Sequence, residues 1–203
     1  MIIIKRLFDL FISAITLLLL SPILLVLLIL VRVDSPGPAI FCQRRIGQDD
    51  KEFVMYKFRT MIVGTPEVAT DKLSHSSAYI TKTGYYLRKY SLDELPQLIN
   101  ILLGQMSFVG PRPALFNQYD LRQLRNDLGI SLVKPGLTGW AQINGRDDIS
   151  MENKVAFDQY YLVNQSFLLD MQILFRTFHS VYAGTGERKA TSGQIRSDKI
   201  KHM

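Results

Sequence analysis

The chain has 203 residues, a net charge of +6 and a pI near 9.4. This length suits one domain with a real core rather than two. The basic balance favours anionic partners such as phosphorylated substrates or acidic lipid headgroups. The single cysteine, Cys42, excludes an intrachain disulfide, and the three scattered histidines argue against zinc. The cations are spread among apolar segments with no nucleic-acid-binding module, so we expect no nucleic-acid partner.

An uncharged apolar segment covers residues 10–31, with Lys5 and Arg6 before it and Arg32 after it. At about 1.5 Å per residue, a helix over this segment would be about 33 Å long, roughly the thickness of a hydrocarbon core. Ser21-Pro22 lies in the middle, where proline bends a helix. Because cations flank both sides, the positive-inside rule places both ends on the cytoplasmic face. The segment predicts a re-entrant helix; a single proline-kinked span is the alternative.

A β-hairpin is predicted directly after the membrane segment. Residues 39–43 have the composition of a strand, residues 47–51 that of a turn, and residues 52–60 that of the partner strand, which carries Lys57. The polar residues 65–77 predict a surface loop.

Two adjacent carboxylates, Asp93 and Glu94, precede an apolar segment of helical spacing, and Gly104 stands where that helix would end. Ser91 and Glu94 have the S-x-x-E spacing of a capping box, so a purely structural role is one interpretation. In the other, the helix begins at Asp93 and its N-terminus, with Arg88 nearby, meets a phosphate. The residues predicted to share its buried face are Leu95, Leu98, Ile99, Leu102 and Leu103.

Two later segments carry candidate phosphate ligands. Prolines on both sides of Arg112 restrict its backbone, although a proline-rich turn with a solvated arginine has the same pattern. Residues 134–146 are rich in glycine, which permits close approach to a ligand, and Lys134 and Arg146 can pair with phosphate oxygens. A plain Gly-Pro turn is the alternative. Trp140 is expected to pack rather than to stack on a base.

Helices are also predicted further along the chain. Residues 117–128 suit a polar helix, and residues 157–182 form a strongly apolar segment that lies either in the lipid headgroup plane or in the core. The last residues, 186–203, predict a polar tail.

Taken together, these segments resemble the bacterial sugar transferase family, the monotopic phosphoglycosyl transferases. The likeness covers about residues 3 to 185, and several long motifs in the same order make it specific. The chain shows no counterpart of the N-terminal transmembrane bundle of the larger members, so we expect the minimal catalytic form. The matching motifs are Lys5–Asp9, Ser21-Pro22, Tyr56–Met61, Ser91–Gln97, Met106–Pro113, Lys134–Arg146 and Asp158–Asp170.

The resemblance implies a predominantly helical α+β fold with a small β-hairpin and amphipathic interfacial helices. Residues 1–33 would form the re-entrant membrane helix, residues 34–185 a catalytic domain on the cytoplasmic face of the bacterial inner membrane, and residues 186–203 the tail.

The resemblance also implies transfer of a sugar 1-phosphate from a UDP-sugar to undecaprenyl (polyprenyl) phosphate, with UMP as by-product, as the first membrane step of a bacterial glycan assembly. By matching motif, Asp93 would be the nucleophile, Glu94 its catalytic partner, and Mg²⁺ would bind at or near Asp93. The candidate phosphate-binding cations are Lys57, Arg88, Arg112 and Arg146.

Two other functions fit parts of the sequence. A conventional membrane-associated glycosyltransferase would release UDP, although the chain has no Asp-x-Asp metal pair. A non-catalytic basic scaffold would bind inner-membrane lipid and leave the carboxylates without a role. A homodimer is compatible with the sequence under any of these functions, and no spacing rule identifies the sugar.

Overall fold

The computed structural model describes residues 2–66, 76–145 and 149–182. It is an α+β fold dominated by helices, as predicted. In chain order the α-helices α1 to α7 are Ile2–Asp34, Lys82–Lys89, Gln97–Leu102, Tyr119–Asp127, Trp140–Asn144, Met151–Val163 and Phe167–Tyr182. The strands β1 to β4 are Ile40–Ile46, Glu52–Phe58, Ser107–Val109 and Gly136–Thr138. The predicted tail at 186–203 lies outside the described residues.

The N-terminal helix α1 is long and apolar enough to cross a membrane, and most of its side chains are exposed. It continues through Ser21-Pro22 rather than ending there. Proline removes a single backbone donor, so the adjoining turns maintain the helix.

Both ends of α1 contact the domain that follows it. Near the start, Lys5 Nζ lies 2.5 Å from the Asp170 carboxylate, and Arg6 donates to the carbonyl oxygens of α3 residues Ile101 and Leu102 at 2.7 and 2.9 Å. At the other end, the Asp34 carboxylate accepts a 2.8 Å hydrogen bond from the Thr83 amide in α2. The helix therefore lies along the domain.

The predicted hairpin is confirmed. Strands β1 and β2 pair antiparallel with Cys42 opposite Tyr56. A 3-10 turn, Gln48–Asp50, joins them. Strand β1 continues to Ile46, beyond the predicted 39–43. Of the predicted loop at 65–77, residues 67–75 lie outside the described residues.

Strands β3 and β4 form a short parallel pair that depends on glycine. A Cβ on Gly136 would lie 2.1 Å from the Gly110 amide nitrogen, and a Cβ on Gly139 would lie 2.1 Å from the Gly110 carbonyl oxygen. The prediction that glycines in 134–146 bring the backbone to a ligand is therefore wrong for these two. They bring it against the chain's own backbone, in a strand rather than a plain turn.

Helix α3 is shorter than predicted and turned to a different face. The residues Leu92–Glu94 form a 3-10 turn, and α3 begins only after Pro96. Leu98 is buried, but Ile99 and Leu103 are 41% and 61% exposed, so they do not belong to the buried face. The extra tight turn rotates the helix, which buries Asn100 and Ile101 instead. Gly104, with φ +82°, ends the helix as predicted.

The capping-box interpretation is wrong. Ser91 has left-handed backbone angles (φ 54°, ψ 23°), and its side chain makes no capping hydrogen bond. A cap residue normally has extended angles that aim its oxygen at the amides of the first turn. The acidic pair therefore needs another explanation.

The polar helix predicted at 117–128 is confirmed as α4. The apolar segment at 157–182 is two helices, with α6 beginning at Met151 and a break between Val163 and Phe167. Helix α7 contributes to the core, since Ile173 is fully buried, whereas Leu168, Phe175 and Phe178 are 82%, 75% and 73% exposed. Its place in the lipid headgroup plane stays a prediction. Trp140 packs against Tyr160 with ring centroids 5.1 Å apart, as expected.

Candidate active site

Asp93 and Glu94 lie in the 3-10 turn between α2 and α3. Leu92 and Leu95, on either side of the acidic pair, pack against a buried cluster that includes side chains of α1. Apolar burial on both sides fixes the turn in place. The cluster consists of Leu27, Val31, Phe58 and Leu87.

Glu94 is held by two cations. Its Oε1 lies 2.9 Å from Lys57 Nζ, at the end of β2, and 3.5 Å from Arg112 Nη1. The Lys57, Glu94 and Arg112 side chains are 14%, 21% and 36% exposed. These are partly desolvated charges, which interact more strongly than exposed ones. Glu94 is therefore an anchored carboxylate.

Asp93 is the uncommitted member of the pair. Within the described part of the chain, no hydrogen bond or ion pair reaches its carboxylate, while the pKa of Asp93 is raised to about 6. Burial is the main cause and the neighbouring Glu94 charge the second; Lys57, Arg88 and Arg112 oppose them. A half-buried carboxylate of raised pKa beside cations is typical of a functional group.

The cations around the pair are positioned by their own contacts. Burial lowers the pKa of Lys57, which Glu94 counteracts and Arg112 and Arg45 reinforce. Arg88 Nε, on α2, donates to Thr60 Oγ1 at 2.8 Å. The site thus combines two carboxylates with a surplus of positive charge.

The Pro111–Pro113 segment is fastened at each of its carbonyl oxygens. Gly136 N donates to Pro111 O at 2.9 Å, Arg125 Nη1 to Arg112 O at 2.8 Å, and Arg45 Nη1 to Pro113 O at 3.0 Å. Arg125 is in turn paired with buried Asp158 at 2.6 Å. These contacts, rather than the prolines alone, set the position of Arg112, which is not a solvated arginine.

The structure brings together five of the six predicted site residues: Asp93, Glu94, Lys57, Arg88 and Arg112. Arg146 lies outside the described residues. Lys134 lies elsewhere, where its charge interacts with Arg6 and Asp9.

The sequence analysis gave no role to Arg45 and Gln97, which lie with Lys57 and Arg112 around a narrow crevice beside the acidic turn. In the sequence, Arg45 is one of several cations that follow the membrane segment. Only the alternation of β1 indicates that its side chain lies on the opposite face of the strand from Arg44. Gln97 stood inside the matched motif Ser91–Gln97 but was given no role.

Asp93 and Glu94 are the side chains that could hold a divalent metal. In the ranges that the structure describes, no three acidic, histidine or cysteine side chains form a metal-binding group. Mg²⁺ retains several waters and is commonly held by one or two carboxylates together with substrate phosphates. The donor set therefore fits Mg²⁺ better than a metal that needs a protein cage.

The structure thus places a long apolar helix against a domain that holds a carboxylate–cation centre. The chain belongs to the bacterial sugar transferase family, whose model matches residues 1–184. The resemblance drawn from the motifs is thereby confirmed.

The chain is similar to several named proteins, and it covers a different share of each of them. The chain is 42% identical over 207 residues to the uncharacterized sugar transferase EpsL of Bacillus subtilis (strain 168), covering 96% of this chain and 100% of that protein. It is 39% identical to the exopolysaccharide production protein ExoY of Sinorhizobium fredii (strain NBRC 101917 / NGR234), covering 90% and 87%. It is 43% identical to the UDP-glucose:undecaprenyl-phosphate glucose-1-phosphate transferase of Escherichia coli (strain K12), covering 85% of this chain and 39% of that protein.

Proposed function

We propose that the protein transfers a sugar 1-phosphate from a UDP-sugar to undecaprenyl phosphate. The products are the undecaprenyl diphosphate sugar and UMP, and Asp93 carries the phosphosugar between the two substrates. The carboxylate of Asp93, free of protein partners in the described chain and surrounded by cations, is the observation that carries this proposal. The names of the relatives support the donor and acceptor classes.

In the first step, an Asp93 carboxylate oxygen attacks the β-phosphorus of the UDP-sugar. A new P–O bond forms, and the bond between the β-phosphorus and the bridging oxygen breaks, so UMP leaves with that oxygen and its electron pair. The result is an acyl phosphate that carries the sugar.

In the second step, a phosphate oxygen of undecaprenyl phosphate attacks the same phosphorus. The Asp93–phosphorus bond breaks, which restores the carboxylate and releases the undecaprenyl diphosphate sugar. The bond between the sugar and its oxygen is never cut. We therefore expect retention of the anomeric configuration.

The surrounding side chains offset the repulsion between an anionic nucleophile and an anionic donor. Lys57, Arg88 and Arg112 supply fixed positive charge where negative charge develops on the leaving phosphate. Glu94, held by Lys57 and Arg112, orients those two cations beside Asp93 and keeps them from pairing with Asp93 itself.

Mg²⁺, held by Asp93 and the donor's phosphate oxygens, would supply further neutralisation of the phosphate charge. We propose it as the cofactor.

We further propose that the protein is monotopic, with both ends of α1 on the cytoplasmic face of the inner membrane. Contacts to one domain from Lys5 and Arg6 at one end and from Asp34 at the other support this topology. A span would carry one end across the bilayer, away from those contacts. The acceptor keeps its tail in the bilayer and the donor is soluble, so a site at this boundary meets both in turn.

The relatives named for exopolysaccharide production support a place at the first membrane step of a glycan assembly.

The test is to incubate purified protein with Mg²⁺ and each of a panel of UDP-sugars, with and without undecaprenyl phosphate. We expect UMP release for one donor, and an intact-mass increase equal to the sugar phosphate, minus water, when the acceptor is omitted. Asp93→Asn should abolish both signals, and Glu94→Gln should reduce them severely. Release of UDP, or full turnover by Asp93→Asn, would contradict the proposal.

A further inference from the structure

Asn100 is a fully buried polar residue of α3 that lies outside the acidic turn. Its side-chain amide makes three hydrogen bonds. The Oδ1 atom accepts from the Tyr56 amide at 3.1 Å, and Nδ2 donates to the Val54 carbonyl oxygen and to Gln105 Oε1, both at 2.7 Å. Both donors and the oxygen of the Asn100 side chain are therefore engaged by the protein itself.

Two of these hydrogen bonds are made to the edge of β2 that faces away from β1. In the described part of the chain, the sheet of β1 and β2 has no third strand, so no strand pairs with that edge. Buried backbone amides and carbonyls are almost always paired. The Asn100 amide takes the place of a neighbouring strand's peptide group, and it thereby fixes where β2 lies along α3.

This register determines where the Lys57 side chain lies. Met55, between the two bonded residues, is 2% exposed and packs in a cluster with Leu98 and Ile101 of α3. Because side chains alternate along a strand, Lys57 lies on the same face as Met55, about 7 Å further on. There its Nζ lies 2.9 Å from Glu94 Oε1. A slip of β2 by one residue would turn Lys57 away from the acidic turn.

We propose that Asn100 is a positioning residue for the transfer, because it holds β2 in the register that brings Lys57 to Glu94. The inference rests on the proposed function and adds to it a residue that is fully buried and touches neither substrate. In that mechanism Lys57 supplies positive charge, which is effective when the protein holds it in place before the reaction begins. Gln105 supports the same arrangement, since its Oε1 holds the Asn100 amide in its orientation.

The test is a double-mutant cycle in the full chain, read out as the single-turnover rate of adduct formation with the UDP-sugar that the wild type uses. Asn100→Leu keeps the size of the side chain and removes its hydrogen bonds, and Gln105→Met is the milder second variant. Each is made with Lys57 present and in a Lys57→Met background. With Lys57 present, we expect Asn100→Leu to slow adduct formation at least tenfold and Gln105→Met about threefold. In the Lys57→Met background each should change the rate by less than twofold, because no lysine remains to be positioned.

Thr138→Val is the matched control for the loss of a buried hydrogen bond. Thr138 is 5% exposed, and its Oγ1 lies 2.7 Å from Thr177 Oγ1, so this contact joins β4 to α7 rather than β2 to α3. The control should lower the unfolding temperature and leave the rate of adduct formation within twofold of wild type.

A loss of rate that persists undiminished in the Lys57→Met background would overturn the inference, since Asn100 and Gln105 would then only support the fold. Wild-type rates in both variants would overturn it as well. If Asn100→Leu does not fold, the Gln105→Met cycle decides. Failure of the proposed function is a separate result, in which the wild type itself forms no adduct. The cycle is then read in denaturant unfolding, where the losses from Gln105→Met and Lys57→Met should fail to add, and additive losses would contradict the positioning role.

Discussion

At the scale of single residues, the important property of Asp93 is that its carboxyl titrates close to neutral pH, so that it is mostly ionised at pH 7 and mostly protonated at pH 5. Its pKa of about 6 reflects burial and the Glu94 charge, with the surrounding cations acting in the opposite direction. In the proposed mechanism only the ionised carboxylate attacks phosphorus, so this environment would set the pH range in which Asp93 can act.

We therefore expect the rate of adduct formation at fixed Mg²⁺ to fall as the pH drops through about 6. Arg88→Gln removes a charge that lowers the Asp93 pKa, so its midpoint should move to higher pH. Arg44→Gln, whose charge is exposed, should leave the midpoint in place. Single-turnover rates from pH 5 to pH 8 measure this, and a midpoint near pH 4 in wild type would contradict it.

The raised pKa also predicts that Asp93 destabilises the folded protein. A carboxyl whose pKa is raised from 3.8 to about 6 on folding contributes stability only while protonated, and this stability is lost as the pH rises through 6. Asp93→Asn removes that penalty, of order 1–3 kcal/mol for a partly accessible group. Its unfolding temperature should exceed that of wild type, and by more at pH 7.5 than at pH 5. An equal difference at the two pH values would contradict the effect.

Sequence could identify the acidic pair because Asp93 and Glu94 are adjacent and stand in a matched motif. It could not separate their roles, since that depends on which carboxylate Lys57 and Arg112 reach. The positions of Arg45 and Gln97 were missed for the same reason: both residues line one narrow crevice between elements that are distant in the chain.

At the scale of elements, alternation and turn residues sufficed to predict the hairpin, because β-strand periodicity is local. The face of α3 was mispredicted because the 3-10 turn before Pro96 shifts the helix, and that turn is stabilised by packing against α1. The spacing of apolar residues alone does not predict this rotation of the helix.

The position of Arg112 depends on a buried pair behind its loop. Asp158→Asn would leave the Arg125 guanidinium buried without its charge partner, so we expect a loss of about 3–5 kcal/mol in the free energy of unfolding. The Arg112 carbonyl should then be held less firmly, with a lower rate of UMP release. Asp50→Asn breaks the more exposed 2.8 Å pair with Arg122 and is the control. It should cost about 1 kcal/mol or less and leave the rate unchanged.

Equal losses of stability in these two variants, measured by denaturant unfolding, would contradict the assignment. So would full activity in Asp158→Asn at a temperature where it remains folded.

At the scale of the whole molecule, the topology of α1 is the main prediction. Cys42 is exposed in the domain, and it serves as the reference in wild type. In a Cys42→Ser background, Ile3→Cys places a thiol near the other end of α1, at a position that is 76% exposed. Both thiols should react with an impermeant maleimide only after the inner membrane is opened. Leu19→Cys, in the middle of the helix, should remain unlabelled. Labelling of residue 3 in intact spheroplasts would indicate a span.

Helix α1 also completes the interior of the domain, since Leu17, Leu27 and Val31 pack in its buried clusters. Removing residues 1–34 would not free a soluble catalytic fragment; it would expose one wall of the core directly beneath the acidic turn. The apolar helix and the acidic turn therefore cannot be separated by truncation, because the same side chains of α1 that make it apolar also support the turn.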